Sequence, residues 1–313
     1  MSDFSAFTSN YDKSDPLKPC YFKIEVLERY FSNPQYQIYY TDYRGGITTR
    51  EDVDIEYEHI QDFGLAYSKT DANKRVVVMF AEDLTNLPPK AQSYWYSYLL
   101  DNQDEYCPNE GFVKNLIYGE WVENISIFEA LLMEEEYINK MCNAIGLPPM
   151  FNEDYSDSSS HLDRRPDGYR IILLPTRKNY YNFVSTLEKV TTSNINIKTF
   201  MTSASLVNAI VRVNNEGSVS LLGMWLESNV KSTEDIQEII VAPLKKLVKI
   251  RQIPAHKIYD NAYDESIWGE QNILMNEVYT AFRDIRLLLA THPLASTVKV
   301  PRVLFDGEHI RSY

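Results

Sequence analysis

The spacing of apolar positions changes near the middle of this chain, from short mixed runs to long helical ones, and that change sets the expected fold. Residues 1–16 are polar and without period, which predicts a flexible tail. From Tyr21 to Phe31 the apolar residues Phe22, Ile24, Val26, Leu27 and Tyr30 mostly keep helical spacing, and Asn33-Pro34 stops them. Tyr36 to Tyr40 is aromatic and β-prone, Gly45-Gly46 reads as a tight turn, and Phe63, Leu65 and Tyr67 alternate like a half-buried strand. Val76 to Ala81 is wholly apolar, the pattern of a central strand covered on both faces. Pro88-Pro89 opens a helix through Leu100, and Ser126 with Glu129 forms a capping box for a second helix that ends at Gly146.

Residues 151–168 are acidic, rich in serine and nearly without aliphatics, the composition of an exposed linker. Beyond it, Tyr169 to Leu174 reads as a short strand and helices are expected at 178–192, 217–228, 234–251 and 264–291, while 195–214 is open between strand and helix. The last helix repeats Ile267, Leu274, Val278, Phe282 and Ile285 in nearly heptad order, a seam long enough to predict a homodimer. The expected fold is α+β: a tail (1–16), a mixed α/β N-terminal domain with a small sheet (17–150), a linker (151–168) and a C-terminal helical bundle (169–313).

Charge narrows the function classes. Against 31 Lys and Arg stand 44 Asp and Glu, so the net charge of −13 repels nucleic acid and anionic membranes except where cations cluster locally. An acidic, Tyr-rich N-terminal domain suits a basic protein partner. Cys20, Cys107 and Cys142 are odd in number and far apart, which points to a reducing compartment. With no apolar run near 20 residues and no leader-like start, a cytoplasmic location without membrane contact is expected.

The familiar nucleotide, zinc and serine-hydrolase motifs are absent and the five histidines lie far apart, so neither metal nor cofactor is expected. Glu134-Glu135-Glu136 spread around a helix instead of converging on an ion, which predicts a solvated face. Trp95 among Tyr94, Tyr96 and Tyr98 could stack bases, but lies in a stretch without cations and reads better as core.

One window departs from the acidic background. Ile239 to Tyr259 holds no Asp or Glu, while Lys245, Lys246, Lys249, Arg251 and Lys257 contribute five positive charges. Inside it, Arg251 precedes His256 by five positions, where one helix is expected to hand over to the next. R-x-x-x-x-H between the last two helices of a four-helix bundle resembles the signature of the HEPN superfamily (higher eukaryotes and prokaryotes nucleotide-binding). Ala255 fits that pattern; Gln252 stands where a short polar residue is more usual, and Pro254 lies in a stretch usually helical. The resemblance implies an HEPN-like C-terminal bundle and a metal-independent ribonuclease of a bacterial stress or phage-defence effector. Residues 21–100, with Glu82-Asp83-Leu84 and the Trp95 helix, and Pro254 to Pro293 are also similar to a family of large, uncharacterised bacterial proteins.

Metal-free RNA cleavage needs a group to take the 2′-hydroxyl proton, an acid for the leaving oxygen and a cation for the phosphate. His256 can move protons near neutral pH, and Arg251 offers a forked cation. One copy has one such histidine, so a symmetric dimer would supply both roles. Lys245, Lys246, Lys249, Gln252 and Lys257 are the candidate RNA contacts. In the alternative, Arg251 caps its helix, His256 is a buried turn residue and the bundle belongs to a non-catalytic interaction protein.

Overall fold

The computed structural model describes residues 7, 15–52, 57–71, 73–120, 124–153, 165–202, 217–230, 232–256, 260–307 and 309–311. The chain is α+β and divides into two compact units, one of residues 1–122 with 173–175, the other of 123–172 with 176–313.

In the first unit, β1 (Pro19–Phe22), α1 (Glu28–Ser32), β2 (Tyr36–Tyr40), β3 (Arg44–Thr49), β4 (His59–Ser68) and β5 (Arg75–Phe80) precede α2 (Ala81–Thr85), α3 (Pro89–Ser97), β6 (Tyr106–Pro108) and α4 (Glu110–Val113). The strands form one antiparallel sheet in the order β1-β5-β4-β3-β2, with β6 added to the far end of β4. All six residues of β5 are buried because β1 and β4 flank it and both sheet faces are covered. On one face Val76, Val78 and Phe80 pack with Phe112 of α4. On the other, Trp95 of α3 meets Phe22 edge-on at 5.0 Å and donates its indole N–H to the Tyr30 hydroxyl, so Trp95 is core. Gly64 lets Phe112 lie close on the first face: a Cβ there would lie 2.5 Å from the Phe112 ring.

The second unit contains β7 (Ile125–Ser126), α5 (Ile127–Ala144), α6 (Arg177–Val190), α7 (Ser218–Asn229), α8 (Ala242–His256), α9 (Ser266–Ala290), α10 (Arg302–Asp306) and β8 (Ile310–Arg311), which pairs parallel to β7. The Ser126 hydroxyl accepts the Glu129 N–H at 3.2 Å, as the capping box requires, and Gly146 leaves the helix at φ +80°. A π-helical turn, Gln237–Val241, leads into α8.

Several expectations are corrected. Tyr21 and Phe22 are strand, and only a 3₁₀ turn (Ile24–Leu27) and α1 are helical; a buried edge for β5 outweighs local helical spacing. Gly45-Gly46 lies inside β3, not in a turn. Residues 169–172 form no strand, because side chains of α9 satisfy their backbone: Gln271 accepts from the Ile172 N–H and Trp268 donates to the Ile172 carbonyl, both at 2.9 Å. The ends of the expected linker are held too. Phe151 is buried, stacks on Phe282 at 5.1 Å and exchanges two hydrogen bonds with Asn139. Residues 154–164 lie outside the described residues, as do most of residues 1–16.

The solvated glutamate face is also overturned, since Glu134, Glu135 and Glu136 are all buried. The Glu134 carboxylate meets the Arg286 guanidinium of α9, which also donates to the Leu304 carbonyl at 2.9 Å. Burial raises the Glu134 carboxyl above its ordinary range, and Arg286 opposes that shift. The pair seats α5 along α9 in the second unit, although the sequence places it before the expected boundary. The α9 seam is therefore covered within the chain: Val278, Phe282 and Ile285 are fully buried, so its length gives no reason for a dimer.

Arg286→Met leaves Glu134 as a buried charge without its cation and costs about 3–5 kcal/mol, whereas adding Glu134→Leu recovers most of that loss. Urea unfolding of both variants measures the difference.

Candidate functional site

Helix α8 presents the candidate residues. Its apolar positions Leu244 and Leu247 are buried against α6 and α9, which turns Lys245, Lys246, Lys249, Arg251 and Gln252 outward. Lys245, Lys249 and Gln252 follow one another at four and three residues and share a face. Lys257 lies outside the described residues, and His256 is described only as the last residue of α8.

The helix does not end at Arg251. It continues through Pro254, whose ring leaves the Ile250 carbonyl without its usual intrahelical N–H partner, and reaches His256. On one continuous helix, positions five apart lie about 140° around the axis. Arg251 sits too far inside the helix to be a terminal cap.

Neighbouring helices supply acids that the local sequence lacks. Lys246 Nζ lies 2.7 and 2.8 Å from the Glu277 carboxylate oxygens of α9. Arg251 Nε lies 4.0 Å from Glu188 Oε2 of α6, with the arginine half exposed and the glutamate mostly buried. Lys245 and Lys249 have no carboxylate within ion-pair distance among the described residues. Lys245 also borders a recess of about 300 Å³ where Glu188, Thr192, Ser193 and Ser218 approach the start of α7.

His292 and His309 have local roles. His292 Nδ1 accepts the Leu294 N–H at 3.2 Å, and the Asn124 amide joins His309 to Arg311. Among the described residues no cluster of His, Cys, Asp and Glu could hold a metal ion, and no helix is long and apolar enough to cross a membrane.

A second concavity, of about 820 Å³, lies between the end of α9 and α7 and escaped the sequence reading. Trp225, Leu288, Leu289 and Pro293 line it, and among the described residues no Asp, Glu, Lys or Arg does. Its walls come from residues up to 148 positions apart, Ile145 to Pro293, so no local pattern marks it.

No family model, no curated protein and no solved structure matches this chain.

Gly223 fixes how α7 meets the turn that starts α8. A Cβ there would lie 2.6 Å from Val241 Cγ2. Gly223→Ala is therefore expected to destabilise the protein by about 1–3 kcal/mol despite the better helix propensity of alanine, and Val241→Ala to relieve part of the loss. A double-mutant cycle by urea unfolding reads the coupling.

Proposed function

We propose that the second unit binds single-stranded RNA along the outward side of α8, and that Arg251 and His256 contributed by two copies form a metal-independent cleaving pair, as in an HEPN-like stress or defence effector. The observation that carries this reading is the run of exposed Lys245, Lys249, Arg251 and Gln252 on an acid-free helix of an otherwise acidic chain. Lysines on successive turns can follow a phosphate backbone, and Gln252 can donate to and accept from sugars or bases. A second copy would supply the second histidine that the two proton transfers call for.

A second reading, a non-catalytic interaction protein, is favoured by Glu277 and Glu188, which already face two of the described cations of α8.

Fluorescence anisotropy with a labelled single-stranded RNA separates the two. Lys245→Glu with Lys249→Glu should weaken binding at least about tenfold and lower the salt slope by about 1.4, the loss of two phosphate contacts. Cleavage should survive EDTA, leave 2′,3′-cyclic phosphate ends, vanish in His256→Ala with little loss of affinity, and fall together with affinity in Arg251→Ala. Wild-type protein that binds no RNA at low salt would favour the interaction protein, and full cleavage by the His256→Ala, Arg251→Ala double variant would remove the catalytic assignment.

A further inference from the structure

The outer face of the β2-β3-β4 sheet in the first unit is aromatic and largely neutral, with the Arg44–Asp62 ion pair, 2.6 Å apart, near its Tyr39 end. Cross-strand register places Gln37 beside Thr48 and Thr48 beside His59, strand alternation puts Tyr39 and Gln61 on the same face, and Tyr57, just before β4, reaches it through its hydroxyl beside Thr48. The opposite face carries Ile47 and Ile60, both buried. Tyr39 is 52% and Tyr57 61% exposed.

These rings are held in place. Tyr39 lies across Gly46, where a Cβ would come within 2.3 Å of its ring carbon Cζ, and its hydroxyl donates to the Gln61 carbonyl at 2.6 Å. Tyr57 stacks on His59, with 16° between their planes and centroids 6.1 Å apart, and its hydroxyl lies 3.5 Å from Thr48 Oγ1. Gly46 is required here because any side chain would lift the Tyr39 ring off the sheet.

We propose that this face binds a neutral oligosaccharide, with pyranose rings stacked on Tyr39 and Tyr57. The C–H-bearing face of a sugar ring is weakly positive and meets the negative face of an aromatic ring, while Gln37, Thr48, His59 and Gln61 offer donors and acceptors for hydroxyls at the rim. Rings fixed before binding lose little conformational freedom on contact. Charge decides against a nucleic acid at this place. None of the seven face positions (37, 39, 46, 48, 57, 59 and 61) is Lys or Arg, the Arg44 charge near Tyr39 is met by Asp62, and residues 1–122 hold 11 basic and 20 acidic side chains, whereas stacking sites for single strands pair aromatics with a positive groove.

The site is in the first unit and does not depend on the RNA reading of α8. The test titrates the full chain with neutral hexasaccharides of glucose, mannose, galactose and N-acetylglucosamine, and with single-stranded RNA, by calorimetry and by amide NMR shifts. At least one hexasaccharide should bind and shift the amides of β2 and β3. Tyr39→Ala and Tyr57→Ala should each weaken it about tenfold or more, with far-ultraviolet circular dichroism unchanged. Tyr39→Phe, which keeps the ring but loses its tether, should weaken it less than Tyr39→Ala. The proposal is overturned if no hexasaccharide binds at 10 mM, a loose limit corresponding to about 3 kcal/mol. Equal affinity in Tyr39→Ala, Tyr57→Ala and wild type would overturn it too, as would binding of RNA in place of sugar at this face.

Discussion

The buried contact between Glu134 and Arg286 governs the organisation of the second unit. Each ion would carry a large desolvation penalty alone, and the guanidinium meets it by bonding the carboxylate and the Leu304 carbonyl together. That arrangement joins α5, α9 and the middle of α10. With α5 and α9 so fixed, Phe151 can stack on Phe282 and Asn139 can hold both backbone groups of Phe151, which ties the first residue of the expected linker to the bundle. Helix α8 then lies on α6 and α9, and its cations face outward because Leu244 and Leu247 face in.

The same packing tempers the charge of that helix. A window without acids in sequence is not without acids in space: α9 brings Glu277 to Lys246, and α6 brings Glu188 towards Arg251. Exposed ion pairs of this kind contribute little to stability, but they reduce the cationic field that an RNA strand would meet. The RNA reading accordingly rests on Lys245, Lys249 and Gln252, with Arg251 shared between Glu188 and any phosphate.

Period and punctuation made much of the fold legible. The expected helices at 178–192, 217–228 and 264–291 correspond to α6, α7 and α9, and the capping box at Ser126 begins α5 as expected. The failures share one cause: tertiary partners overrode local pattern. Tyr21 and Phe22 joined a sheet edge, Gly46 served a ring lying across a strand, and residues 169–172 were held by Gln271 and Trp268. The acidic triplet was misread because the partner of Glu134 is 152 positions away. For the candidate site, the helix and its cations were visible in sequence, whereas the opposing glutamates and the continuation of α8 through Pro254 were not. The aromatic sheet face was hidden for another reason: strand register alone brings Tyr39 onto the face of the adjacent Tyr57 and His59.

The central claim is that α8 is the surface that meets RNA. Photocrosslinking of a 4-thiouridine-substituted single strand to the full protein at low salt, followed by mass spectrometry of the crosslinked peptides, reads this directly. The account predicts crosslinks concentrated between Ala242 and Tyr259 that disappear in the Lys245→Glu, Lys249→Glu variant. Crosslinks confined to residues 15–120, or equally abundant in that variant, would contradict it.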